Sequence, residues 1–207
     1  KIGMVFQDPL TSLNPVYTVG DQVGAPLRYH GTITNPGRRR ERVTELLKDV
    51  SIPSAETRLD EFPHQYSGGM RQRAVIATAI ANNPDLLLAD EPTSALDVTI
   101  QIQIIALLKR IRDDTGMGML FVTHDLGVAS ALCDRIAVMY AGRIVEIGPV
   151  QQIYNAPAHP YTQALLSSIP KTGAGREERL PAIPGTPPSP LSLPDGCRFA
   201  PRCPHRM

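Results

Sequence analysis

The chain has 207 residues, 42% of them hydrophobic and 20% charged, with 21 basic side chains against 20 acidic ones. That is enough for one domain with an ordinary globular core, and the balanced charge leaves no electrostatic footprint for nucleic acid. The longest apolar run, Ala74 to Ala81 with Thr78 inside it, is too short to span a bilayer, and no secretory signal opens the chain, so the expectation is a protein that stays in the cytoplasm.

In chain order, Lys1 to Gln7 reads as a strand running into a loop rich in Pro, Asn and Ser. Val19 to Arg28 and Gly37 to Val50 read as helices, the second with Val43, Leu46, Leu47 and Val50 on one side. Ser67 to Asn82 predicts a third helix, with Ser67 at the N-cap and Asn82-Asn83-Pro84 as the stop. Asp85 to Asp90 predicts a buried strand. Val98 to Asp113 has Ile100, Ile104, Leu107, Leu108 and Ile111 at helical spacing. Gly118 to Thr123 predicts another buried strand, and Leu126 to Cys133 a short helix that holds Cys133 as a small core residue. Arg135 to Tyr140 and Arg143 to Ile147 flank Ala141-Gly142, a hairpin signal. Strands alternating with helices predict an α/β fold with a largely parallel sheet. Composition then shifts: twelve of the 20 prolines lie from Pro149 onward, and the tail from about Lys171 is expected to be extended.

Three segments carry chemistry. Leu86-Leu87-Leu88-Ala89-Asp90-Glu91 puts two acids at the C-terminal end of a central strand, where open α/β sheets bind ligands. One carboxylate there can hold Mg²⁺ and its neighbour can orient or deprotonate a water; a strand ending in an acidic turn accounts for the same six residues equally well. Ser67-Gly68-Gly69 opens a helix with free backbone N–H groups, a setting that attracts phosphate. A merely capped helix leaves the second glycine unexplained, since it weakens the first turn by about 1 kcal/mol relative to Ala. Leu120-Phe121-Val122-Thr123-His124-Asp125 places a histidine at the end of another strand. Alone it reads as a structural hydrogen-bonder; beside a phosphate site it can polarise a γ-phosphate.

Taken in order, these segments resemble an ABC-type nucleotide-binding domain over residues 1 to about 150. Gln7 is similar to the Q-loop glutamine, Ser67-Gly68-Gly69-Met70-Arg71 to the signature motif with Met70 and Arg71 in place of the commoner polar pair, Asp90-Glu91 to the Walker B aspartate and catalytic glutamate, Ser94-Ala95-Leu96-Asp97 to the D-loop, and His124 to the switch histidine. The resemblance implies an α/β P-loop ATPase fold with a largely parallel sheet and a helical signature subdomain at about 15–83, followed by a Pro-rich C-terminal extension over 151–207. It implies Glu91 and His124 as catalytic residues, Gln7, Ser67, Gly68, Gly69, Gln72 and Asp97 as ATP-binding residues, and Asp90 with Gln7 as Mg²⁺ ligands. ATP would be sandwiched between two such cassettes facing head to tail. No G-x-x-x-x-G-K-[ST] string, the phosphate cradle of this family, occurs in the 207 residues. With Lys1 rather than Met in first place, the expectation is a fragment whose cradle precedes it and which binds ATP poorly by itself.

A second layer of resemblance concerns the solute. Gln7-Asp8-Pro9-Leu10-Thr11-Ser12-Leu13-Asn14-Pro15 resembles the extended Q-loop of oligopeptide and dipeptide importers, and Arg143 to Pro149 fits the same subgroup. His159-Pro160-Tyr161 to Leu166 resembles their C-terminal extension. Importers of nickel and other small solutes share these features. A non-transport cassette acting on ribosomes or DNA is a further alternative, disfavoured by the extension. The implied partners are a second ATPase subunit, two transmembrane permease subunits and, indirectly, an extracytoplasmic solute-binding protein, with the chain peripheral to the cytoplasmic face of the inner membrane. The Cys197 and Cys203 segment, Gly196 to Pro204, resembles a cysteine-containing tail that holds a 4Fe-4S cluster in some relatives. A cluster needs about four thiolates, so the residues alone favour two reduced cysteines in an exposed tail, and the cluster is what the resemblance implies for the longer protein.

Overall fold

A computed structural model describes residues 1–94, 96–169 and 182–206. The chain divides into two compact units, Lys1–Val128 and Ala129–Met207. Each is described by itself. The expected boundary near residue 150 differs from this division because the hairpin at 135–149 packs with the extension that follows it.

The first unit is built on three parallel strands, β1 (Ile2–Val5), β2 (Leu86–Asp90) and β3 (Gly118–Val122), in the order β1-β2-β3. The register aligns Met4 with Leu88 and Leu88 with Leu120. One face of this sheet is covered by α5 (Gly68–Ile80) and α6 (Val98–Thr115), which bring Ile76, Ile104 and Leu108 into one cluster with Val5, Leu87 and Ala89. Gly3 lets β1 lie flush on α5, since a Cβ there would meet the Ala79 carbonyl oxygen at 2.4 Å. The opposite face is bare among the described residues: Ile2 is 69% and Leu120 58% exposed, with Met4 and Val122 beside them. Of the two strands expected to be buried, β2 buries Leu87 and Ala89 between half-buried neighbours and β3 has only Met119 and Phe121 half-buried between exposed residues, because successive side chains alternate and helices cover a single face.

Between β1 and β2 lies a helical insertion. Asp8 caps the short α1 (Pro9–Ser12), its Oδ1 accepting from the Leu10 amide at 2.8 Å. Helix α2 (Val19–Tyr29) starts at Thr18, whose hydroxyl accepts from the Asp21 amide, and α3 (Pro36–Asp49) starts at Asn35 with Pro36 in the first turn, where its missing N–H costs nothing. Val19, Val23 and Leu27 of α2 join Val43, Leu46 and Leu47 of α3 and Val75 of α5 in the same core. A single turn, α4 (Ala55–Arg58), and a 3₁₀ turn at Pro63–Gln65 lead into α5.

Helix α7 (Leu126–Leu132) spans the division between the units. In the second unit, β4 (Arg135–Tyr140) and β5 (Arg143–Pro149) pair antiparallel with an irregularity at Val138/Met139, and α8 (Val150–Asn155) and α9 (Pro160–Ser167) follow. The tail expected to be extended from Lys171 lies outside the described residues up to 181. From 182 it has one 3₁₀ turn, Ala200–Arg202. No described helix is long and apolar enough to cross a membrane.

Candidate functional site

The carboxyl ends of three parallel strands bring three of the predicted residues together. Gln7 stands two residues beyond β1, just before the turn that Asp8 caps. Asp90 ends β2, and Glu91 follows it with φ 41°, a left-handed conformation that few non-glycine residues adopt. Two ties hold that conformation. The Glu91 amide donates to the Val122 carbonyl at 3.0 Å, as if continuing the β2–β3 ladder, and the Glu91 carbonyl accepts from the Ser94 amide and hydroxyl at 3.2 and 3.1 Å. The side chain is thereby turned across the strand ends. Gln7 Nε2 donates to Glu91 Oε2 at 3.0 Å, and His124 Nδ1 lies 3.3 Å from the same oxygen.

A neighbouring group fixes the histidine's loop. The Asp125 carboxylate accepts from the Gly127 and Val128 amides at 2.8 and 3.2 Å, capping α7, and its other oxygen accepts from Gln101 Nε2 of α6 at 3.3 Å. Thr123 Oγ1 accepts from the Asp125 amide. Sequence reasoning missed Gln101 and Asp125 as supports for His124. Asp125 followed by a helical run was a readable N-cap signal; Gln101 became visible only through the fold. Asp97, expected in the D-loop, caps α6 by accepting from the Ile100 amide at 3.0 Å. Ala95 of that loop lies outside the described residues.

The signature segment is a separate surface. Ser67 Oγ accepts from the Met70 amide at 3.3 Å, so the expected N-cap is present, and Ser67 and Gly68 are exposed. Gly69 is buried, and a Cβ on it would sit 2.8 Å from Ile100 Cγ2, which gives the second glycine a packing reason. Arg71, the departure from the usual motif, reaches back to the Pro63 carbonyl at 2.6 Å and fixes the entrance to α5. Gln72 was expected among the ATP-contacting residues. It is 0% exposed, inside the unit, where no ligand on the surface reaches it. No hydrogen bond among the described residues joins Ser67 to the Gln7–Glu91–His124 trio.

The strand ends offer oxygen donors: the Asp90 and Glu91 carboxylates and, with its nitrogen committed to Glu91, the Gln7 carbonyl. Hard oxygens suit Mg²⁺, which binds through one or two carboxylates and completes its shell with phosphates and water. The cysteine segment shows two reduced thiols, Cys197 exposed and Cys203 partly buried. Cys197 Sγ lies 3.9 Å from His159 Nε2, and His159 Nδ1 accepts from the Tyr161 amide at 3.1 Å. Among the described residues no three His, Cys, Asp or Glu side chains gather as a metal site.

The comparisons fall on two stretches of the chain. A family model described as ABC transporter matches residues 1–94, and one described as the C-terminal region of the oligopeptide/dipeptide transporter matches residues 145–207. A Brucella ovis protein named as a peptide import ATP-binding protein is 56% identical over 207 residues, covering 98% of this chain and 61% of its own length. A Sinorhizobium fredii protein named as a peptide ABC transporter ATP-binding protein is 51% identical over 204 residues, covering 99% and 61%. The chain thus spans about three fifths of the curated relatives it matches. Among solved structures, the dimeric ATP-binding cassette MJ0796 in a post-hydrolysis state with ADP and phosphate aligns with a TM-score of 0.64 and 36% identity, over 72% of this chain and 63% of that one. The trio at the strand ends, the capped signature helix and the matches over both units have one common account: the chain belongs to the ABC transporter family of ATP-binding-cassette proteins.

Proposed function

We propose that these residues belong to the ATP-hydrolysing subunit of an importer for dipeptides or oligopeptides, peripheral to the cytoplasmic face of the inner membrane. The observation that carries the reading is the convergence of Gln7 and His124 on one oxygen of Glu91. It leaves the other carboxylate oxygen to orient and deprotonate a water. Asp90 and the Gln7 carbonyl would hold Mg²⁺, which when bound neutralises charge on the transferring phosphate. Gln7 and His124 each have a second task within reach, since a γ-phosphate oxygen competes with Glu91 for their protons. Phosphate arrival would thus loosen the glutamate as it is needed. Ser67 and Gly68, exposed and apart from the trio, suit a phosphate held by a second cassette. That arrangement favours head-to-tail pairing of this subunit with a copy or a relative, and two permease subunits would take up the resulting motion. The peptide assignment draws on the 145–207 match and on the names of the relatives.

The test is Glu91→Gln in the full-length protein. Steady-state ATP hydrolysis should fall at least about 100-fold while ATP affinity stays within about threefold, because the amide keeps the shape but cannot take a proton. Undiminished turnover would remove Glu91 from the role given to it. Transport assays with labelled dipeptide and with Ni²⁺ in vesicles containing the permease subunits separate the peptide reading from its small-cation alternative.

A further inference from the structure

We propose that Gln72 is a positioning residue whose buried amide finds its hydrogen-bond partners only when the cassette closes on nucleotide, so that it couples the signature helix to the turn behind the catalytic glutamate. The inference rests on the ATPase reading above.

Gln72 is fully buried in α5, and neither its Nε2 nor its Oε1 has a partner among the described residues. A primary amide carries two donors and two acceptor lone pairs. Folded proteins pair nearly all such groups once they are buried, and the exceptions mark places where something else is asked of the side chain. Methionine has the same length, a similar helix preference and no polar atoms to desolvate, so packing alone gives no reason for glutamine here.

The position of the amide identifies what it serves. Gln72 lies one turn after Gly69 and one turn before Ile76, on the same face of α5. A Cβ on Gly68 would touch Leu96 Cδ2 at 3.9 Å, and one on Gly69 would press on Ile100 Cγ2 at 2.8 Å. One residue further along, Arg73 Nη2 donates to Gln103 Oε1 of α6 at 3.1 Å. This side of the signature helix therefore runs beside Leu96, in the turn that follows Glu91, and along the first turns of α6. In that turn the Ser94 and Leu96 amides are paired with the Glu91 and Thr93 carbonyls, the Thr93 carbonyl keeps a second lone pair for a donor, and the turn follows the strained Glu91. A slide of α5 by a fraction of a helical turn, driven by phosphate at Ser67 and Gly68, would bring those backbone groups to the Gln72 amide. Packed interfaces of this kind change between discrete arrangements. The unpaired amide raises the energy of the open arrangement, and its pairing stabilises the closed one.

The experiment uses the full-length protein assembled with its partner subunits and compares wild type with Gln72→Met. Without nucleotide, the melting temperature of the variant should be equal to that of wild type or higher by about 2–4 °C. The rise in melting temperature produced by ATP should be at least halved, and kcat should fall about tenfold while KM for ATP stays within about twofold. A variant that loses stability equally with and without ATP, or that does not fold, would show that the amide is already satisfied in the open state, and the proposal would be wrong. Normal kcat with a normal ATP-linked shift would also overturn it. If wild type itself hydrolyses no ATP, the underlying ATPase reading fails instead, and the two failures are distinguished by that control.

Discussion

At the scale of single residues, the signature helix is introduced by a tyrosine with a strongly shifted proton. Tyr66 is 2% exposed, and its hydroxyl donates to the Arg58 carbonyl at 3.0 Å. Burial, helped by the nearby Glu61 charge and opposed by Arg58, pushes its pKa up to about 12. Tyrosines of an unfolded chain titrate near 10. The folded chain therefore holds this proton more tightly, and the stabilisation is whole below about pH 10 and is lost as the pH rises through about 12. Tyr66→Phe keeps the ring but has no proton to lose. At neutral pH it should cost about 1 kcal/mol for the lost hydrogen bond. Between about pH 9 and about pH 11.5 its urea midpoint should fall less than that of wild type. Parallel declines in the two proteins would show that Tyr66 does not titrate with unfolding. Sequence alone indicated Glu91 and His124 because an acid pair and a histidine stood at strand ends, and Gln7 entered through the resemblance of its loop. It could not indicate that both partners choose the same Glu91 oxygen, because that depends on the backbone turn at Glu91 and its tie to Val122.

At the scale of elements, the helices with caps or apolar periodicity were legible, the short α7 among them, and the shortest ones were not. Ser67, followed by two glycines and an apolar run, announced α5. The four-residue α1 and α4 have no period to read, and α8 is a six-residue turn of helix beside Pro149. The second unit shows what holds such pieces in place. Phe199 is 1% exposed, with its ring 5.2 Å from Tyr140 edge-on, 5.4 Å from Tyr161 and 6.1 Å from His159. Arg198 donates to the Ala141 carbonyl, and Arg202 donates to the Tyr140 hydroxyl at 3.2 Å. From the other side, Glu146 of β5 accepts from the Ala158 and His159 amides at 2.8 and 3.0 Å. Burial pushes its carboxyl up, but hydrogen bonding and the nearby His159 outweigh this and hold it below the usual carboxylate range. A Pro-rich segment with few apolar residues thus depends on one aromatic anchor. Phe199→Ala should remove about 3–5 kcal/mol of packing. Limited proteolysis should then cut within 182–206 at least about tenfold faster, following the equilibrium population of the detached tail. An unchanged cleavage rate there would mean that the arginine contacts alone hold the segment.

At the scale of the whole chain, the parallel sheet of the first unit poses a physical problem. Parallel sheets are characteristically covered on both faces, and near-continuous apolar strands such as Leu86-Leu87-Leu88-Ala89 are the sequence form of that burial. In these 207 residues α5 and α6 cover one face, and Ile2, Met4, Leu120 and Val122 line the other without a covering layer among the described residues. The sequence reading expected wholly buried strands because the strand composition records a two-sided burial that helices within this stretch supply only once. A protein made of these 207 residues alone should accordingly bind an apolar dye such as ANS and self-associate in sedimentation at micromolar concentration, as contiguous apolar patches of this kind do. The double substitution Leu120→Thr, Val122→Thr keeps the strand preference and should reduce dye binding at least about twofold while leaving the far-ultraviolet circular dichroism unchanged. The same change on the covered face, Leu87→Thr, should instead unfold the unit, because Leu87 is fully buried beneath the helices and an unpartnered hydroxyl there adds a desolvation cost to the lost packing. If the exposed-face variant loses its secondary structure as Leu87→Thr does, the two faces are equally buried and the one-sided sheet is refuted.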